Sequence, residues 1–283
     1  MRHGSLFSGI GGFELAAEWM GWENTFHCEF NEFGSKVLSH YWPESKHYGD
    51  ITKSDFSEFR DRIDILTGGF PCQPYSAAGK RKGKDDARHL WPEMLRVIRE
   101  VRPRYIVGEN VYGLVTWNGG LVFDEVCSDL EAEGYAVWPI VIPAAAVGAP
   151  HRRDRVWFVA YANCERRGGR ERLHYESGKE QRQPIVISEG LQDTGLATDS
   201  ESVLLQRQCG GQRQGKFRRG NWDGFPTESP VCSGNDGLPS ELDGIAFPKW
   251  RNESIKAYGN AIVPQVAYQI FKAIEDHDYR AMA

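Results

Sequence analysis

The residue of this sequence that is best suited to chemistry is Cys72, which lies on a stiff loop. It follows two glycines in segment 68–76, and Pro71 and Pro74 on either side of it restrict the local backbone. A structural cysteine more often lies within an apolar strand or helix. An ordinary thiol is mostly protonated at neutral pH, so a nucleophilic Cys72 needs activation or a substrate that is itself electrophilic.

Glu109 can supply the second of these routes. It follows a predicted strand at 105–108, and Cys72 follows a predicted strand at 63–67, so both lie at the carboxyl edge of the expected sheet. A protonated Glu109 would donate a hydrogen bond to a ring nitrogen and make the ring electron-poor at the carbon under attack. Burial raises the pKa of a carboxyl group in the direction that this requires. A single glutamate at a strand end is usually solvated, but together with Cys72 it indicates a nucleophile and acid pair.

Three segments near the N-terminus suit an adenosine-containing cofactor. The glycines Gly9, Gly11 and Gly12 let the backbone approach a ligand closely, and no Gly-Lys-Ser/Thr follows them, which excludes a Walker phosphate loop. Glu29 lies 20 residues beyond Gly9 at the end of the next strand, where a carboxylate can accept both hydroxyls of a ribose. Asp50 is placed by chain order to receive an adenine amino group. Three ordinary loop residues are the alternative interpretation.

Two further segments carry candidate binding residues. Arg153 and Arg155 precede or open a predicted strand, and alternate residues of a strand share a face, so both can point toward phosphate or a base carbonyl. A charged hairpin turn is the alternative. Segment 259–264 leads into a closing helix, for which a helix cap is the simpler interpretation.

Short apolar runs alternate with helical patterns over the first 160 residues, and this alternation predicts the elements that hold these loops. Strands separated by helices favour an α/β fold with a mostly parallel sheet that is covered on both faces. Such a sheet binds ligands beyond the carboxyl ends of its strands. The predicted strands are 4–7, 24–28, 63–67, 105–108, 135–142 and 156–161, and the predicted helices are 12–20, 32–41, 91–101, 121–133 and 263–274.

The composition predicts a globular protein with one large domain and a smaller appendage. The chain has 283 residues, of which 40% are hydrophobic and 12% aromatic. The most apolar stretch, 137–150, is too short for a membrane span, and the N-terminus lacks the pattern of a signal peptide. Six scattered cysteines without a CxxC pair favour reduced thiols and no zinc. These features favour a cytoplasmic protein.

The sequence changes character after residue 161. From 162 to 250, Gly, Arg, Gln and Ser dominate and hydrophobic periodicity fades, which fits a disordered linker or a loop-rich second domain; several Trp and Phe residues favour the latter. Residues 152–219 contain 14 Lys and Arg against 9 Asp and Glu, a local charge of +5 in a chain of net charge −5. Such a segment suits a surface that faces phosphate, although a solvated loop is the simpler interpretation from charge alone.

In their order along the chain, these segments resemble the bacterial and phage DNA cytosine-5 methyltransferases. The resemblance implies a class I S-adenosylmethionine-dependent methyltransferase fold, which is Rossmann-like. It implies a catalytic and cofactor-binding domain at 1–161, a small target-recognition region at 162–250, and a C-terminal segment at 251–283 that returns to the catalytic domain. The segments that carry the resemblance are Phe-Ser-Gly-Ile-Gly-Gly (7–12), Glu29, Asp-Ile (50–51), Pro-Cys-Gln (71–73) with Ser76, Glu-Asn-Val (109–111), Arg-Asp-Arg (153–155) and Gly-Asn-Ala-Ile-Val-Pro (259–264).

The resemblance implies an enzyme that methylates C5 of a flipped-out cytosine in a specific duplex DNA sequence. Cys72 would add covalently to C6, while Glu109 hydrogen-bonds N3 and the amino group. Arg155 would contact the base carbonyl, and Arg153 would help to hold the cysteine loop and a nearby phosphate. Flipping the base costs about a few kcal/mol of unstacking. The basic stretch 79–86 fits a loop that closes over DNA.

The implied methyl donor is S-adenosylmethionine, with S-adenosylhomocysteine as its product, and no metal is implied. The implied partners are double-stranded DNA and a cognate restriction endonuclease that acts separately. No membrane association is implied. The residues implied to hold the cofactor are Phe7, Gly9, Gly11, Glu29, Phe30, Asp50, Ile51, Pro71, Leu90 and Asn260.

Two other functions remain open at this point. A tRNA cytosine-5 methyltransferase would use the same scaffold, but the Cys-Phe-Thr tripeptide associated with that branch is absent from this sequence. A catalytically silent DNA-binding relative is the non-enzymatic alternative, and the intact Cys72, Glu109 and Asn260 argue against it.

Overall fold

Eight strands form one continuous sheet within the described part of the chain. The structure, a computed structural model, describes residues 1–71, 90–163, 183–187 and 250–282. The strands are β1 (Arg2–Leu6), β2 (Glu23–Cys28), β3 (Lys46–Tyr48), β4 (Ile65–Gly68), β5 (Tyr105–Val111), β6 (Tyr135–Pro143), β7 (Asp154–Ala162) and β8 (Ile185–Val186). Their order in the sheet is β3-β2-β1-β4-β5-β7-β6-β8. The first five strands pair in parallel, whereas β7 runs antiparallel to both β5 and β6.

Helices follow most of the strands and cover the sheet. They are α1 (Gly12–Trp19), α2 (Glu32–Tyr41), α3 (Trp91–Val101), α4 (Gly113–Thr116), α5 (Leu121–Ala132), α6 (Trp250–Asn260) and α7 (Pro264–Met282). Short 3-10 turns occur at Ile51–Lys53, Ser57–Phe59, Trp117–Gly120 and Ala144–Val147.

The ends of these helices follow from local sequence. In α2, the side chain of Asn31 accepts hydrogen bonds from the amides of Phe33 and Gly34, which otherwise lack partners within the helix. In α3, a proline stands in the first turn, where its missing N–H costs nothing, and Arg102 ends the helix in a left-handed conformation.

Two hydrophobic clusters lie on opposite faces of the sheet. Residues of α3 and α5, such as Met94 and Phe123, pack against Phe158 on one face. Residues of α1 and α7, such as Phe13 and Phe271, pack against Trp157 on the other. Adjacent residues of β7 thus point to opposite clusters, as expected of a strand buried on both faces.

The predicted α/β class and mostly parallel sheet are confirmed. The six predicted strands and five predicted helices all occur, most with ends shifted by one or two residues, although the C-terminal helix runs on to Met282. β3, β8, α4 and α6 were not predicted, because they are short or carry no apolar stripe. β8 comes from the region assigned to target recognition, yet it pairs with β6 in the catalytic sheet.

Neither membrane spans nor metal clusters are found in the described ranges. No helix there combines the length and apolar character needed to cross a bilayer. Nor do three His, Cys, Asp or Glu side chains there come together in a group able to bind a metal ion.

We expect Phe271→Ala to destabilise the fold strongly, because Phe271 joins α7 to the sheet. Its ring is fully buried and stacks on Trp22 with ring centroids 4.8 Å apart. Truncating a buried phenylalanine costs about 3–5 kcal/mol, which urea denaturation would measure as a lower free energy of unfolding. Asp276→Ala, an exposed position on the same helix, is the control and should change this free energy little. Equal effects of the two substitutions would contradict the packing of α7.

Candidate active site

The loop between β1 and α1 is a tight turn of residues in the left-handed region. Phe7, Gly9 and Gly11 have φ angles of 53°, 59° and 89°. The amide of Ser8 donates to the Cys28 carbonyl at 3.1 Å and so fixes the turn against the end of β2. A Cβ atom on Gly9 would have no described atom within 4 Å. The turn therefore presents its backbone to open space at the carboxyl edge of the sheet.

Glu29 connects this turn to the start of α2. Its Oε2 accepts a hydrogen bond from the Gly9 amide at 2.7 Å, and its Oε1 accepts one from the Asn31 amide at 2.7 Å. Burial raises the pKa of the carboxyl group, and these backbone hydrogen bonds oppose that shift. The structure thus brings together two residues that the sequence assigned to one cofactor site, and each carboxyl oxygen keeps a lone pair for a ligand hydroxyl.

The loops after β2 and β3 carry an apolar ring and a carboxylate beside this turn. The side chain of Phe30 is 79% exposed, so the face of its ring is available to a planar ligand. Asp50 accepts hydrogen bonds from the amide and hydroxyl of Thr52, at 3.1 Å and 2.7 Å, and these bonds lower its pKa. Asp50 therefore stays ionised and able to accept from an amino group, while the neighbouring Ile51 is buried.

The C-terminal segment reaches the same turn from the other side. Gly12 begins α1, and a Cβ atom there would lie only 2.5 Å from Cγ1 of Ile262. Asn260, the last residue of α6, lies two positions before Ile262. Of the other predicted cofactor residues, Leu90 caps α3 and Pro71 follows the end of β4.

The backbone that leads to Cys72 is held from β5. The side-chain amide of Asn110 donates to the carbonyl of Phe70 at 2.9 Å, and Phe70 itself is buried. A Cβ atom on Gly69 would stand 3.4 Å from Oε2 of Glu109, so this carboxyl group lies against the segment before the cysteine. Cys72, with the rest of 72–89, lies outside the described residues, as do the predicted DNA-closing loop at 79–86 and most of 162–250.

Glu109 forms a buried ion pair with Arg155. The Arg155 Nε and Glu109 Oε1 atoms are 2.9 Å apart, and both side chains are mostly shielded from solvent. Burial is the largest influence on Glu109 and raises its pKa, while the positive charges of Arg155 and Arg153 oppose the shift. The direction of this pKa shift agrees with the protonated Glu109 that the sequence analysis predicted.

The strand alternation that the sequence analysis used for Arg153 and Arg155 does not apply to Arg153. β7 begins at Asp154, and Arg153 lies before it with a φ of 40°, so the alternation rule does not apply. Its Nη2 donates to the carbonyls of Gly259 and Ala261, at 3.0 Å and 2.6 Å. The guanidinium is thus directed to the C-terminal segment.

Sequence reasoning missed Glu14, which is buried under the glycine turn. It is fully shielded from solvent, and neither carboxyl oxygen has a well-formed hydrogen bond among the described residues. Burial raises its pKa to about 7, although the nearby hydroxyls of Ser8 and Ser5 act in the other direction. The only sign of a buried acid in the sequence is that Glu14 stands between Phe13 and Ala16 on the apolar face of α1. Asn110 was also given no role, although it lies in a recognised tripeptide.

Comparison with known proteins finds one family over most of the chain. A family model described as C-5 cytosine-specific DNA methylase matches residues 1–207. The Type II methyltransferase M.BsuFI of Bacillus subtilis is 35% identical over 157 residues, which are 55% of this chain and 38% of that protein. M.HhaI of Haemophilus parahaemolyticus is 33% identical over 164 residues, or 58% and 50% of the two chains. M.HgiCII of Herpetosiphon aurantiacus is 32% identical over 213 residues, or 74% and 47%. The chain therefore spans half or less of the length of these relatives.

A solved structure shows the same fold. It is described as a DNA modification methyltransferase encoded within an Escherichia coli prophage, and it aligns with a TM-score of 0.50 and 24% identity. The alignment covers 59% of this chain and 48% of that one. The α/β methyltransferase fold expected from the sequence is confirmed.

We expect Glu14→Gln to remove a pH dependence of stability. The pKa of Glu14 is about 7 in the folded protein against 4.5 as its ordinary value, so the unfolded chain releases this proton first as pH rises. The wild-type protein should therefore lose up to about 3 kcal/mol of stability between roughly pH 4.5 and pH 7 on account of this group.

Urea denaturation at pH 5 and pH 8 would measure this effect as a difference between variant and wild type. The free energies of unfolding should be similar at the lower pH, and Glu14→Gln should be the more stable at the higher pH. Glu18→Gln, on the exposed side of the same helix, is the matched control. A difference that does not change with pH would show that Glu14 does not titrate in this range.

Proposed function

The chain belongs to the C-5 cytosine-specific DNA methylase family, and we propose on that basis that it transfers a methyl group from S-adenosylmethionine to C5 of cytosine in double-stranded DNA. The observation that best supports this reaction is the position of Glu109. Its carboxyl group is buried, its pKa is raised, and its Oε2 lies against Gly69 on the segment that leads to Cys72. A carboxyl group with a raised pKa, beside the segment that leads to the predicted nucleophile, suits proton donation to a weakly electrophilic ring.

On the base side, Glu109 would hold a proton at N3 of a cytosine that has left the DNA stack. This hydrogen bond draws electron density from the ring, so that the thiolate of Cys72 can form a bond with C6. The electron pair displaced from the C5–C6 bond makes C5 nucleophilic. After methylation, solvent would accept the proton from C5, the electrons of that C–H bond would re-form the C5–C6 double bond as the thiolate leaves, and the proton at N3 would return to Glu109. Arg155 would orient Glu109 through their ion pair and contact the base carbonyl.

On the cofactor side, the described residues fit an adenosine with a charged tail. The ring face of Phe30 suits adenine, Asp50 suits its amino group, and Glu29 suits the two ribose hydroxyls. When bound, S-adenosylmethionine supplies an electrophilic methyl group on a sulfonium sulfur. The remaining residues that we assign to this site are Phe7, Gly9, Gly11, Ile51, Pro71, Leu90 and Asn260.

The DNA partner and the cellular role are part of the same proposal. The excess positive charge of residues 152–219 supports an electrostatic contact with phosphates. The relatives named above are type II methyltransferases, so we propose that this protein protects a DNA sequence against a separate restriction endonuclease in the cytoplasm. Target recognition would fall to region 162–250, and no metal would be needed.

We expect the protein to transfer tritium from labelled S-adenosylmethionine to duplex DNA, and Cys72→Ala to abolish this transfer. The variant should bind S-adenosylhomocysteine with the wild-type Kd, because Cys72 acts on the base rather than on the cofactor. Cys127→Ala, which alters a buried cysteine of α5, controls for general effects of thiol removal. Label in tRNA alone would favour the RNA enzyme, and label in neither nucleic acid would favour the silent relative. Either result would refute the proposal.

We expect Glu109→Gln to lower kcat by about 10²–10⁴-fold, the range of general acid catalysis. Glutamine keeps the size of the side chain but cannot transfer a proton to the ring nitrogen. The Kd for S-adenosylhomocysteine should stay within about twofold of the wild-type value, because cofactor binding involves no proton transfer from Glu109. Glu44→Gln, an exposed carboxylate, is the control. A kcat close to that of the wild type would exclude Glu109 as the acid.

A further inference from the structure

Arg153 binds the backbone on both sides of a predicted cofactor residue. Its Nη2 donates to the carbonyl of Gly259 at 3.0 Å and to that of Ala261 at 2.6 Å, and Asn260 stands between them. These carbonyls lie at the end of α6, where a helix runs out of amide donors. A positive charge at this end is also favourable to the helix dipole. The arginine therefore fixes the backbone that carries Asn260.

The backbone of Arg153 is itself held in place. Its φ of 40° is unusual for a residue with a side chain, and such a conformation persists only where the surroundings determine it. The amide of Ala144 donates to the Arg152 carbonyl at 2.7 Å, and β7 begins at the following Asp154. The guanidinium is thus placed by the sheet rather than by a free loop.

The segment that Arg153 holds continues directly to the cofactor turn. Ile262 packs so closely on Gly12 that a Cβ atom there would lie 2.5 Å from its Cγ1. Gly12 follows the glycine turn that Glu29 holds through Gly9. Residues 259–262, which we call the C-terminal bridge, are therefore fixed by Arg153 at one end and by α1 at the other.

Arg153 also faces the base side of the site. Its positive charge acts on the carboxyl group of Glu109 together with that of Arg155. One side chain thus binds the C-terminal bridge and also acts electrostatically on the predicted acid. The role of Arg153 is therefore not phosphate contact alone, because its guanidinium donates hydrogen bonds to the protein backbone.

We propose that Arg153 is a positioning residue that holds Asn260 in place for the cofactor, so that cofactor affinity depends on Arg153 even without DNA. The inference rests on the proposed function, which takes S-adenosylmethionine as the ligand and Asn260 as one of the residues that bind it. If this is correct, the base side and the cofactor side are connected through Arg153 and the C-terminal bridge.

The test is calorimetric binding of S-adenosylhomocysteine, in the absence of DNA, to the full chain and five variants. Arg153→Met should raise the Kd by about tenfold, since it removes two hydrogen bonds from a charged donor. Arg153→Lys, which keeps one charged donor, should lie between Arg153→Met and the wild type. Arg152→Met, at an exposed neighbour whose partner is Asp154, is the control and should leave the Kd unchanged.

A double variant separates positioning from an independent effect. If Arg153 acts through Asn260, then Arg153→Met combined with Asn260→Ala should bind no more weakly than Asn260→Ala alone. Multiplied effects, or a wild-type Kd for Arg153→Met with loss of DNA affinity only, would overturn the inference. If circular dichroism shows that Arg153→Met is unfolded, the Kd of Arg153→Lys provides the test: a raised Kd supports the inference, and a wild-type Kd overturns it. A wild-type chain that does not bind S-adenosylhomocysteine would instead refute the proposed function.

Discussion

The insertion of β7 between β5 and β6 is the constraint on which the proposed base side of the site depends. Because β7 runs antiparallel to β5, its first residues lie at the edge where β5 ends. This register sets Arg155 opposite Val111 and brings its guanidinium to Glu109. A parallel strand would have placed its end, and not its beginning, at this edge. A reversal of one strand thus delivers two arginines to a sheet edge that otherwise carries acids and glycines.

The ion pair between Glu109 and Arg155 combines two opposed influences on the pKa of one carboxyl group. Burial disfavours the charged carboxylate, and the two arginines favour it. An unpaired buried charge would cost several kcal/mol, so a pair of this kind is hard to break once formed. The arginines also position the carboxyl group, since Oε1 is bound while Oε2 faces Gly69. Burial and the two positive charges together, more than either alone, determine how readily Glu109 takes up a proton.

Much of the fold could be predicted, because apolar runs and helical periodicity mark elements that are buried on one or two faces. The position of Glu29 beside Gly9 also followed from the spacing of two strand ends. β3 escaped prediction because Lys46, His47 and Tyr48 show no apolar alternation. The direction of Arg153 could not be predicted either, since it depends on a positive φ and on a helix end more than 100 residues later in the chain. Local patterns do not encode such long-range contacts.

The proposed cofactor side is built mainly from backbone, and this explains why glycine is needed at several of its positions. At Gly34 a Cβ atom would stand 2.5 Å from the carbonyl oxygen of Gly9, and at Gly11 it would stand 2.2 Å from the ring of Trp42. α2 and the Trp42 ring at its end can approach the turn only because these side chains are missing. The amide of Gly9 is already bound to Glu29, so the turn has its shape before any ligand arrives. A site that is formed in advance loses less conformational entropy on binding, and the close packing of backbone on backbone serves this purpose.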